Sequence, residues 1–303
     1  MKPYKADILM GVITLIWGFT FVFTKLGLES TNGSFLVFLR FSIGMIFLLI
    51  FFGKHLFPMD KQTFMRGLVL GLLYGGGFVL QTYGLQFTTV PKSAFITGMA
   101  VPMVPFVFWM IVRKRIQKFS IIGVGIATLG LWLFSRPDFN NLNLGDILTL
   151  FSTLFWAFYV TLMDVYTKDR TEFSFTVQLV FLQFLFICFV SSITFFIFDY
   201  DNFFFIIDSK LISAIAYNGI IASFFVTFIH TGYQKFTTPV KAALIFSLEP
   251  VVASIAAIFF FSIHFHWVEI LGAMIMIIGV LTSELGPYIF KSRRTILNNQ
   301  ELM

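Results

Sequence analysis

The chain has 303 residues, of which 58% are hydrophobic and 12% charged, with 44 phenylalanines, a composition far more apolar than that of a soluble domain. Its formal net charge of +6 comes without a basic face or an aromatic-interleaved patch, so nucleic acid is set aside as a partner and the lipid bilayer is left. One cysteine, Cys188, sits inside an apolar run, which leaves no disulfide framework, no thiol metal cluster and no cofactor motif.

Apolar runs of about 17 to 25 residues recur along the chain, the length that crosses about 30 Å of hydrocarbon. Ten spans are predicted, at 8–26, 34–53, 67–86, 92–112, 119–135, 146–165, 174–198, 211–234, 241–262 and 267–286. The first follows Lys2 and Lys5 as a signal sequence would, but it is too long and lacks a small-residue cleavage site, so it is expected to remain as a span. The connections are short, so successive helices should be antiparallel neighbours.

Charge gives the orientation. With the N-terminus in the cytoplasm, 16 of the 21 basic residues fall on the inner side, among them the cluster Arg113, Lys114, Arg115 and Lys118. The outer side keeps Lys25, Arg40, Lys92, Arg136 and Lys210. Such a split predicts both termini in the cytoplasm of a multi-pass protein of the cell membrane.

The third and fourth spans meet in FTTVPKSAFITGMAVPMVPF, which starts at Phe87 and carries Lys92, Pro91, Pro102 and Pro105 within apolar sequence. At Phe236 the chain reads FTTPVKAALIFSLEPVVAS, 149 residues later. Over residues 87–130, ten of 44 positions equal the residue 149 further on, including Gly123 with Gly272 and Gly130 with Gly279. The first spans match at an offset of 139, ADILMGVITLIWGF against GDILTLFSTLFWAF, which pairs Asp7 with Asp146 and Trp17 with Trp156. The chain therefore reads as two units, 8–135 and 146–286. Five spans in each unit make the units enter the membrane in opposite senses. The expected fold is an all-α integral membrane protein, ten transmembrane helices as two inverted five-helix repeats, with a substrate site between the halves near the midplane.

Candidate site residues follow from depth and from the repeat. Glu249 lies about eight residues into the ninth span, about 12 Å deep at 1.5 Å per residue. An acid at that depth is costly and faces a cavity or a partner, which makes it a candidate for proton coupling. The competing reading is a neutral acid bonded to a carbonyl left free by Pro250. Its repeat partner is Ala100, or Val101 if the prolines are aligned, so the scaffold is repeated and the acid is not. Trp17 and Trp156 sit at matching mid-helix depths with Thr20 and Tyr159 one turn on, either lining a cavity or packing the halves together. Gln81 and His230 are also repeat partners; His230 is a candidate proton shuttle or a satisfied structural histidine. Asn218 is a further polar candidate for substrate contact. Arg40, Lys92 and Lys241 lie near helix ends, where snorkelling topology anchors are expected ahead of the alternative role, anion binding. Gly67, Gly71 and Gly75 recur every four residues as a packing device. The Phe-rich seventh span, interrupted by Gln178, Gln183 and Cys188, is expected to face lipid.

The stretches IWGFTFVFTK, LRF at Leu39, GLQFTTVPKSAFITG and SLEPVVAS, in that order and spacing, resemble the drug/metabolite transporter superfamily and its EamA-type ten-span bacterial permeases. The resemblance implies a secondary transporter, an exporter or exchanger of metabolites, amino acids or drugs. One departure stands after the ninth span, where relatives often carry Gly-Glu and this chain has Ser262, Ile263 and His264. A nucleotide-sugar or phosphorylated-sugar carrier is the nearer alternative, but such anions want several cavity cations and only helix-end ones are expected. An integral-membrane enzyme is disfavoured, because the four histidines form no HExxH and no paired-carboxylate pattern accompanies them.

Overall fold

The computed structural model describes residues 3–135, 143–262 and 266–300. The helices are α1 (Pro3–Gly27), α2 (Gly33–Phe52), α3 (Lys61–Phe87), α4 (Val90–Gly98), α5 (Ala100–Val112), α6 (Lys118–Ser135) and α7 (Leu144–Thr167). They continue as α8 (Phe173–Thr194), α9 (Ser209–Ile215), α10 (Val226–Tyr233), α11 (Pro239–Phe246), α12 (Glu249–Phe261) and α13 (Trp267–Gln300). Eight continuous helical segments are long and apolar enough to cross a membrane. Two shorter apolar helices, Lys118–Phe134 and Trp267–Ser283, lie where the fifth and tenth spans were expected. Arg136 and His264 lie outside the described residues.

Helix starts follow local chemistry. Asp60 caps α3 by accepting the Thr63 N–H at 2.7 Å, and this bond together with Arg170 holds its carboxyl down at about 2. Asn143 and Asp146 form a capping box that opens α7.

The fourth and ninth spans are each broken in the middle. α4 stops at Gly98 and α5 begins at Ala100; α11 stops at Phe246 and α12 begins at Glu249. Proline explains both breaks, since Pro102 and Pro250 cannot donate to the carbonyls four residues back, Gly98 and Phe246. The second pair of half-helices follows the first at the offset of 149, and so do their ends, where Arg113 (φ 57°) and Ser262 (φ 53°) are both left-handed.

Small residues set the close approaches. A Cβ at Gly123 would stand 2.6 Å from the Gly279 carbonyl oxygen, and one at Gly130 would stand 2.7 Å from that of Gly272. α6 and α13 therefore cross antiparallel with backbones touching, and the offset of 149 exchanges the two contacts. Along α3, side chains at Gly67 or Gly71 would run into Leu182 or Phe186 of α8.

Two expectations are corrected here. α8 is not a lipid-facing helix: Gln178, Gln183, Phe184 and Ile187 are buried among α2, α3 and α10, and Leu185, Phe189 and Ile193 alone of its middle turns are exposed. Gln178 donates to the carbonyls of Leu56 and Pro58, and Gln183 accepts from Tyr159, so its polar groups are structural. Arg40 does not snorkel. Seven residues into α2, it turns inward and is 4% exposed.

Candidate substrate cavity

Seven of the eight predicted site residues meet around one cavity of about 70 Å³: Trp17, Thr20, Gln81, Trp156, Tyr159, His230 and Glu249. α1 supplies Trp17 and Thr20, and α7 supplies Trp156 and Tyr159. The half-helices supply Thr97 and Gly98 at one break and Phe246 and Glu249 at the other. At Gly98 an added Cβ would be 3.2 Å from the Pro250 ring, so the broken helices cross beside the cavity. The eighth residue, Asn218, lies apart. Its amide donates to Thr24 at 3.1 Å within the π-helical stretch Ala216–Phe225, where it ties α1 to the bundle.

The lining is aromatic with spare donors. Trp17 meets the His230 ring edge-on at 5.2 Å and Phe246 at 5.3 Å. Trp156 packs edge-on against Phe78 at 4.9 Å and Tyr74 at 5.7 Å, while Tyr74 stacks on Tyr159 at 4.7 Å. Both indole N–H groups are buried without a hydrogen-bond partner among the described residues. Unsatisfied donors in an apolar wall are costly unless a ligand or water meets them. Gln81 donates to Thr97 at 2.8 Å, and at the offset of 149 the corresponding pair is His230 against Phe246, 5.5 Å between rings. Neither nitrogen of His230 makes a hydrogen bond of good geometry, although the Gln234 amide lies within electrostatic reach one turn on. Ten lining residues thus fall in five repeat-matched pairs, Trp17 with Trp156, Thr20 with Tyr159, Gln81 with His230, Thr97 with Phe246 and Ala100 with Glu249.

A smaller side pocket adjoins the cavity and shares Thr20, Phe78 and Gln81 with it; its far wall is Arg40. Sequence reasoning ranked Arg40 as a topology anchor ahead of an anion-binding cation and did not foresee its inward turn. The Arg40 guanidinium lies 4.5 Å from the Phe78 ring centre and 5.1 Å from that of Phe41, and Nε donates to Ser223 at 2.8 Å. A buried arginine at membrane depth costs at least about 2.5–3.5 kcal/mol before compensation. The signal available in the sequence was its position seven residues inside the second span, beyond easy reach of the interface.

Two ion pairs close the ends of the bundle. Lys92 meets Asp146 at 2.6 Å, and Asp146 also accepts from Thr88 at 2.9 Å. Lys241 meets Asp7 at 3.9 Å. The lysines are repeat partners and so are the aspartates, so each pair joins one half to the other. Lys25 donates to the Thr88 carbonyl at 3.0 Å, which puts the far end of α1 beside Asp146. Asp7 lies 18 residues back along α1, about 27 Å at 1.5 Å per residue. The pairs stand at opposite ends.

Apolar helices of spanning length around an internal cavity define a multi-pass membrane protein. Comparison with known proteins gives the class: residues 4–136 and 143–284 each match the model of the EamA-like transporter family, and the chain belongs to that family. It is 28% identical over 281 residues to an uncharacterized transporter of Archaeoglobus fulgidus, covering 93% of this chain and 86% of that protein. Bacillus subtilis YyaM, also an uncharacterized transporter, is 24% identical over 93% of this chain and 94% of its own length. A solved crystal structure superposes with a TM-score of 0.75 at 12% identity, covering 94% of this chain and 98% of that one, which shows a shared fold.

Proposed function

We propose that this protein is a secondary transporter, an exporter or exchanger, that moves a small metabolite, amino acid or drug across the cell membrane by alternating access. The observation that carries this reading is the cavity lined by matched residues from both halves. The units 8–135 and 146–286 are taken as inverted five-helix repeats with both termini in the cytoplasm. Rocking one repeat against the other would then open the cavity to one side at a time. The reciprocal ion pairs fit that motion, since tightening one end and loosening the other costs little when the contacts are equivalent. In this reading Trp17, Thr20, Gln81, Trp156 and Tyr159 contact substrate, and Glu249 with His230 carries any coupled proton.

Counterflow of radiolabelled metabolites in proteoliposomes tests it. The wild type is expected to exchange at least one solute class, and Trp17→Ala and Trp156→Ala are each expected to slow that exchange at least tenfold with normal insertion. Exchange at the wild-type rate in both variants would make the tryptophans packing elements and remove the cavity from the mechanism.

A further inference from the structure

Arg40 is the one guanidinium buried in the middle of the bundle among the described residues, and its surroundings do not neutralise it. Among the described residues no carboxylate lies within ion-pair distance of it. Ser223, on the π-helical stretch, takes Nε, and the rings of Phe41 and Phe78 hold the guanidinium plane. Nη2 is buried with no acceptor among the described residues. Close packing fixes the geometry from behind, because a Cβ at Gly219 would stand 3.1 Å from the Arg40 carbonyl oxygen. A buried, oriented donor short of an acceptor is costly until a ligand or water meets it.

The side pocket supplies the place. Arg40, Thr20, Thr24 and Gln81 border it, and it shares Thr20, Phe78 and Gln81 with the aromatic cavity. A planar guanidinium fork fits a carboxylate bidentately, and a single positive charge balances a monoanion rather than a phosphate dianion. We propose that Arg40 anchors a carboxylate on the substrate in this side pocket, with the substrate's apolar body lying in the cavity against Trp17 and Trp156. The inference rests on the transporter reading for its consequence, but the site itself is a binding claim. The repeat supports it. At the two offsets Arg40 falls opposite Leu179 or Phe189, so the first half alone carries this cation, as the second half alone carries Glu249. Glu249 lines the cavity that the Arg40 side pocket adjoins, so a substrate that adds an ammonium to its carboxylate has a place for both groups.

The test is binding by the purified full-length protein in detergent, read by thermal shift and tryptophan fluorescence. The probes are phenylacetate, its neutral isostere phenylacetamide, and L-phenylalanine. The wild type is expected to bind phenylacetate at least tenfold more tightly than phenylacetamide. Arg40→Gln is expected to erase that preference, and Arg40→Lys, which keeps the charge and the fold but loses the fork, to retain a reduced one. L-Phenylalanine binding more tightly than phenylacetate, with the gain lost in Glu249→Gln, would identify an amino-acid-like carboxylate; equal binding would identify a simple acid. Absence of a preference for phenylacetate in the wild type, or its survival in Arg40→Gln, would overturn the proposal. Failure of the transporter reading shows separately, as a wild-type protein that binds the acid but exchanges no solute in counterflow.

Discussion

At the scale of single residues, the matched and the unmatched side chains of the cavity separate two roles. Trp17 with Trp156, Thr20 with Tyr159 and Gln81 with His230 repeat, and such pairs build a wall common to both halves. Glu249 does not repeat and faces the cavity at the start of α12. A buried acid that cycles a proton must be neutral when shut off from water and charged when water reaches it. Glu249→Gln keeps size and much of the hydrogen bonding but cannot release a proton. It is expected to exchange substrate at equal pH and to lose uphill transport driven by an imposed proton gradient. Gradient-driven accumulation at the wild-type rate would remove Glu249 from coupling. The cavity residues were legible in the sequence because depth and repeat position both select them. The inward turn of Arg40 was not, because distance to a helix end says how far a side chain can reach and not which way it turns. Asn218 was placed by depth alone, and its buried amide donates to a neighbouring hydroxyl, Thr24, without lining the cavity.

At the scale of elements, the broken helices carry the architecture. Prolines 102 and 250 end the first half-helices, and each second half-helix ends at a left-handed residue, Arg113 or Ser262. A side chain in that conformation is strained by Cβ against the carbonyl, and glycine is not. Ser262→Gly is therefore expected to stabilise the protein by about 0.5–1 kcal/mol, the relief of strain exceeding the added freedom of the unfolded chain. Thermal unfolding in detergent reads this as a melting point a few degrees higher; a lower one would contradict the strain argument. Span positions were readable from apolar length, and the mid-membrane breaks from proline. The burial of α8 was not readable. In a bilayer the solvent is as apolar as the core, so a helix rich in phenylalanine on every side has no face that distinguishes lipid from protein. Its polar Gln178 and Gln183 were the usable signal, and they mark contacts within the bundle.

At the scale of the whole molecule, the reading depends on two halves that are equivalent in structure and opposite in sense. Exchange of the Gly123–Gly279 and Gly130–Gly272 contacts across α6 and α13 has the symmetry of a two-fold axis, as do the Lys92–Asp146 and Lys241–Asp7 pairs. An axis in the membrane plane would put the paired positions on opposite sides, with the first half's basic cluster in the cytoplasm. Arg113 and Ser262 measure this most directly, since they are repeat partners at the ends of equivalent half-helices and both are exposed. In a Cys188→Ser background, cysteine is introduced at each in turn and intact cells are treated with an impermeant maleimide. The account predicts that Ser262→Cys labels in intact cells and that Arg113→Cys labels only after the membrane is permeabilised. Labelling of both from the same side would contradict the inverted arrangement on which alternating access here depends.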